Sequence, residues 1–101
     1  MLDFRIYSFL AVCKYLSYTR AAQELNLTQP AITQHIQYLQ KQYQVKLFIR
    51  ENNALTLTKE GELFRNTMLA LNQAEIKLQG DLQNISEEKH LIHFGAARSF
   101  A

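Results

Sequence analysis

The stretch Leu25-Asn26-Leu27-Thr28-Gln29-Pro30 constrains the fold of this chain more than any other. Asparagine is one of the few non-glycine residues that tolerates a left-handed backbone, so Asn26 marks the end of one helix and a tight turn. Thr28 has the short hydroxyl side chain that caps the start of the next helix. Pro30 then falls in that helix's first turn, where backbone N–H groups have no intrahelical acceptor to lose. The stretch therefore predicts two helices joined by a tight turn.

Apolar spacing on both sides agrees. Ile6, Phe9, Leu10, Cys13 and Leu16 stand at helical intervals and predict a first amphipathic helix. Cys13 on that stripe reads as a small buried hydrophobe. Ser17 caps a short second helix in which Tyr18, Ala21, Ala22 and Leu25 repeat the spacing, the two alanines allowing close approach of a neighbour. In the third helix, Ile36, Leu39 and Tyr43 lie within about 40° of Ile32 on a helical wheel and predict a narrow buried stripe. Pro30, Gln34, Gln37 and Lys41 fall opposite, with Gln29 and Thr33 on the flank near the start.

Beyond Tyr43 the pattern changes. Lys46 to Glu51 and Ala54 to Leu57 read as two short strands around an Asn52-Asn53 turn. Thr58 caps a fourth helix, with Glu60 and Glu62 complementing its positive end. Phe64, Leu71, Leu78 and Ile85 recur at seven-residue intervals there, with Met68 and Leu82 on the adjoining line and Gly61 and Glu75 interrupting it. Such a repeat fits packing on the chain's own domain or pairing with a second chain, and we expect pairing. Gly80 weakens the middle by about 1 kcal/mol relative to alanine. Ser86 to Lys89 reads as a polar linker, and His90 to Ala97 as a buried strand, the first of a further domain that this sequence does not contain.

Composition narrows the class. The 101 residues are 48% apolar, and the longest apolar run, Phe9 to Cys13, is far too short to span a membrane. One cysteine allows no internal disulfide, which suits a reducing cytoplasm. Net charge is +2, but residues 1–50 carry six basic side chains against Asp3 and Glu24 (+4), while residues 51–101 carry five basic against seven acidic (−2). A basic front half permits a nucleic-acid partner.

Three helices followed by a two-stranded wing make a winged helix-turn-helix in a mainly α chain. SYTRAAQELNLTQPAITQHIQYL (17–39) resembles the signature of LysR-type transcriptional regulators, and KLFIR (46–50) and LTLTKEG (55–61) resemble that family's wing and linker-helix entry. The resemblance is dense from residue 4 to about 65. It implies three segments: a DNA-binding domain over 1–58, a dimerisation helix over 59–88, and a linker and first strand of an effector-binding domain over 89–101. It further implies a bacterial, cytoplasmic homodimer on an interrupted palindromic operator, with the linker helices of two chains packed antiparallel. The third helix would enter the major groove and the wing would touch the minor groove. A tetramer is compatible with the full-length protein. No cofactor is expected in this segment; a small-molecule effector, of unknown identity, is expected for the domain that it lacks.

On that reading, Thr28 and Gln29 at the start of the third helix are best placed to meet DNA. The Thr28 hydroxyl and nearby free N–H groups suit a phosphate oxygen. Gln29, Gln34 and Gln37 are candidate base readers, since an amide offers the donor and acceptor that adenine requires. Pro30 and the Thr33 methyl offer apolar surface to a thymine methyl. Arg50, with Asn52 and Asn53 at the wing tip, is assigned to the backbone or minor groove. Phe64, Met68, Leu71, Leu78, Leu82 and Ile85 are the dimerisation candidates. The chain departs from the family where a basic residue is usual at Gln34 and at the wing tip, glutamate at Gln40 and glycine at Gln44. Fewer cations predict a shallower salt dependence. One alternative is a protein-interaction module built on the fourth helix, with the winged helix as a DNA-free scaffold; its exposed Gln/Thr/Pro face lacks the aromatics and arginine of an interface core. His35, His90, His93 and Cys13 assemble no metal or catalytic set, and no enzymatic activity is expected.

Overall fold

The computed structural model describes residues 3–94. Helix α1 spans Phe4–Tyr15, α2 Tyr18–Leu25 and α3 Gln29–Tyr43; strands β1 (Phe48–Glu51) and β2 (Ala54–Leu57) follow, and α4 runs over Lys59–Phe94. The chain divides into two compact units, Met1–Ala70 and Leu71–Ala101.

Each element of the first unit begins and ends where a side chain or a backbone twist makes it do so. The Asp3 carboxylate accepts the Arg5 amide at 2.8 Å and caps α1. Ser17 caps α2 by accepting the Arg20 amide at 3.1 Å, and Thr28 caps α3 by accepting the Ala31 amide at 3.2 Å. All three helices stop at a left-handed residue: Leu16, Asn26 and Gln44 have φ of 49°, 56° and 56°. Asn26 is the expected stop. Leu16 corrects the predicted stripe, because it is the C-cap of α1 and 44% exposed. The α1 residues that fill the core are instead Ile6, Phe9, Ala11 and Val12, with the buried hydroxyl of Ser8.

The core joins α1, α2 and α3 to the sheet. Phe9, Val12, Ala21, Ile32 and Leu47 are wholly buried, and Ile36, Leu39, Phe48 and Leu55 nearly so. Burying a large apolar side chain stabilises by roughly 1.5–3 kcal/mol, so this cluster dominates the unit's stability. Phe9 meets Phe48 and Phe64 at centroid distances of 5.4 and 5.0 Å. Tyr43 corrects the α3 stripe: it is 52% exposed, because it sits in the last turn beyond the core, its ring set against Phe64. Cys13 is only partly buried against the core, and burial pushes its thiol up to about 12, against an opposing pull from Arg65.

The strands pair antiparallel, Phe48 opposite Leu57 and Glu51 opposite Ala54. Pairing begins at Phe48 rather than Lys46, since Lys46 and Leu47 are turned toward other partners: the Lys46 carbonyl accepts the Thr58 hydroxyl and the Leu47 carbonyl the Thr58 amide. Asn52 and Asn53, at φ 52° and 63°, make the left-handed turn that a two-residue hairpin requires.

The α4 helix overturns the reading of the chain beyond Ile85. Ser86 to Lys89 are helical rather than a linker, and His90 to Phe94 are helical rather than a strand; Gly95 to Ala97 lie outside the described residues. A strand must find another strand for its backbone groups, whereas a helix satisfies them within itself. Apolar residues over 90–94 satisfied a strand pattern too short to distinguish from a helix.

Candidate nucleic-acid interface

Burial of Ile32, Ile36 and Leu39 fixes the rotation of α3 and turns its opposite face outward. Thr28, Gln29, Pro30, Gln34, Gln37 and Lys41 are exposed; Thr33 is half-buried on the flank. The side-chain amides of Gln29, Gln34 and Gln37 engage no intrachain hydrogen bond among the described residues. Thr28 spends an acceptor pair on Ala31, which leaves its O–H free to donate. The start of α3 thus gathers unpaired donors and acceptors at the positive end of a helix dipole.

Arg50, Asn52 and Asn53 are exposed on the wing, in the company of Glu51. Burial raises the Tyr18 hydroxyl, and the Arg50 charge opposes the rise, which places this cation near the start of α2. The wing therefore carries one cation and one carboxylate, with amides at its tip.

The connection that sets the wing against α3 was not legible as such. The Gln40 side-chain oxygen accepts the Leu47 amide at 2.8 Å, across seven residues, and the Gln40 carbonyl accepts the Val45 amide at 3.1 Å. Thr58 does double duty: it donates to the Lys46 carbonyl at 2.5 Å and accepts the Gly61 amide at 2.9 Å. Only its capping half could be read from local sequence. A second missed pair is Ser8 with His35, 2.7 Å between Oγ and Nδ1. Burial and the nearby Arg5 lower the His35 imidazole, so the neutral ring is the favoured form there.

Of the dimerisation candidates, Phe64 and Met68 pack partly buried against the core of the first unit. In the second unit Leu71, Leu78, Leu82 and Ile85 are exposed by 47–55%. Among the described residues no group of three or more His, Cys, Asp or Glu could hold a metal, and no helix is long and apolar enough to cross a membrane.

These features recur in known proteins. Residues 5–62 match the family described as bacterial regulatory helix-turn-helix protein, lysR family. The HTH-type transcriptional activator AmpR of Citrobacter freundii is 35% identical over 96 residues, 93% of this chain and 32% of its own length. The chain thus spans about a third of such relatives, and their named role in transcription is not enzymatic. Among solved structures, a transcriptional regulator of the LysR family from Eggerthella lenta shares 53% identity with a TM-score of 0.64, covering 67% of this chain and 97% of its own. The BenM_DBD complex with catB site 1 DNA superposes with a TM-score of 0.81 at 26% identity, covering 89% of this chain and 97% of its own. A winged helix-turn-helix followed by a long helix is their shared form, and this chain belongs to the lysR family of bacterial regulatory helix-turn-helix proteins.

Proposed function

We propose that this chain is the operator-binding part of a transcriptional regulator acting in the bacterial cytoplasm. The observation that carries the reading is the outward face of α3, where Gln29, Pro30, Gln34 and Gln37 stand exposed behind the Thr28 cap with their amides unengaged. Exposed amides with both hydrogen-bonding functions match the adenine edge in the major groove, and one good bidentate contact discriminates by about 1–3 kcal/mol. The similar BenM_DBD fold is bound to DNA, which supports the same docking for this chain.

In this reading α3 enters the major groove and the wing approaches the adjacent minor groove through Arg50, Asn52 and Asn53. Thr28 meets a phosphate, and Thr33 lends its methyl to the apolar contact of Pro30. Two chains pair through α4, most directly by Leu71, Leu78, Leu82 and Ile85, and so address two half-sites of an interrupted palindrome. An effector-binding part and a tetrameric full-length assembly belong to the same proposal. The same proposal assigns DNA binding to residues 1–58 and dimerisation to the helix from residue 59 onward, expected over 59–88.

The decisive experiment selects bound sequences from a random DNA pool and then compares Gln29→Ala with the wild type. The substitution should weaken the selected site by roughly 10-fold or more and random DNA little, the signature of a lost base contact. Equal losses on both would remove Gln29 from the readers, and no selectable DNA would remove the function.

A further inference from the structure

Two contacts outside the core tie the start of α1 to the outer flank of α3. The Arg5 guanidinium carbon lies 3.9 Å from the Tyr38 ring centroid and 4.7 Å from that of Phe4. The Phe4 ring in turn meets His35 edge-on at 5.1 Å, and His35 is bonded to Ser8, which is 1% exposed. One end of this ladder is therefore fixed in the core, while Phe4 and Tyr38 remain 59% and 45% exposed. The ladder holds a cation in a defined place on a surface where a free arginine would wander.

That place borders the reading face. On the wheel of α3, Tyr38 stands about 40° from Gln34 and about 160° from Gln40. Gln40 is the residue that holds Leu47 and hence faces the wing connection. A helix lying in the major groove has a phosphate ridge on each side, and backbone contacts there fix register. The wing reaches one side through Arg50. A guanidinium stacked on a ring keeps its N–H groups directed outward at its edge, the geometry that binds phosphate oxygens.

We infer that Arg5, held by the Tyr38 ring, binds a DNA backbone phosphate on the flank of α3 opposite the wing. The inference rests on the DNA-binding reading above. In the free protein Asp3 occupies part of the same fork, its Oδ2 lying 3.0 Å from Nη1 of Arg5. Asp3 therefore opposes the phosphate while it caps α1, and Asn at this position would keep the cap and release the cation.

The test measures equilibrium binding of the whole chain to its selected operator and to random DNA across a salt series. Arg5→Gln should lower the log–log salt slope by about 0.9 on both DNAs. Tyr38→Leu should weaken binding several-fold, and Tyr38→Phe should not. Asp3→Asn should tighten binding at low salt, and the gain should vanish in the Asp3→Asn, Arg5→Gln double variant. Lys77→Gln, a neutralisation on α4, calibrates the effect of net charge alone. Thermal unfolding checks each fold, and Asp3→Asn still decides if Arg5→Gln is unstable: no tightening by a folded Asp3→Asn overturns the assignment. A slope change no larger than that of Lys77→Gln, or an Asp3→Asn gain that survives without Arg5, also overturns it. If the wild type binds no DNA, the functional reading itself falls; if it binds and only these variants are silent, this inference alone falls.

Discussion

Gln44 shows at a single residue how this chain diverges from its family. It ends α3 in the left-handed conformation, φ 56°, at a position where the resemblance leads one to expect glycine. A side chain there is strained by its Cβ, while glycine costs more entropy on folding. The first effect is the larger at positive φ, so Gln44→Gly should stabilise the first unit by roughly 0.5–1 kcal/mol. The check is urea unfolding, with a higher midpoint and an unchanged slope; a lower midpoint would show that the Gln44 side chain makes a contact of its own. The legible residues are those whose partners are near in sequence. Ser17, Asn26 and Thr28 were readable because a cap or a turn is settled within three residues. Gln40 was not, because its acceptor role depends on where the chain returns at Leu47. The exposed amides of the candidate site were readable as a face once Ile32, Ile36 and Leu39 fixed the helix's rotation, whereas Arg5 and Tyr38 meet only through the packing of α1 on α3.

At the scale of the element, α4 is rooted by its first turn. A Cβ on Gly61 would stand 2.2 Å from the Leu47 carbonyl oxygen and 2.7 Å from Cδ2 of Leu57. The carbonyl is backbone already bonded to the Thr58 amide, and it has little room to yield. Gly80, in the same helix, has nothing within 4 Å of the corresponding point. The same substitution should therefore have opposite signs: Gly61→Ala should cost about 1–3 kcal/mol by overpacking, and Gly80→Ala should add up to about 1 kcal/mol to local helix stability. Denaturant unfolding measures the first and helical circular dichroism on warming the second; two changes of one sign would refute this account of the root. In the sequence Gly61 showed as a gap in an apolar line and as the end of the LTLTKEG stretch, but its steric reason was hidden, since the atom that it avoids belongs to the chain before the wing. The far end of α4 misled for a different reason: an apolar run around 90–94 carries no period that separates strand from helix.

At the scale of the molecule, the second unit exposes Leu71, Leu78, Leu82 and Ile85 along α4. Exposed leucines at seven-residue spacing are the material of a helix pair. On the proposed pairing through α4, Leu71→Glu combined with Leu78→Glu should leave only monomers, as seen by light scattering at matched concentration. A dimer that persists would move the interface elsewhere. On the same reading operator binding should fall as pairing is lost, while the first unit keeps its melting behaviour.

The three left-handed helix ends carry a last consequence. Leu16, Asn26 and Gln44 stop α1, α2 and α3 without a glycine among them. Leucine and glutamine have no local preference for that conformation, so a peptide cut from this region would not stop there by itself. Two of the three boundaries exist only when the helices are already packed around Phe9, Ile32 and Leu47. The helices and their ends should therefore form and melt together as an all-or-none transition, with no half-built helix-turn-helix able to present α3 to DNA.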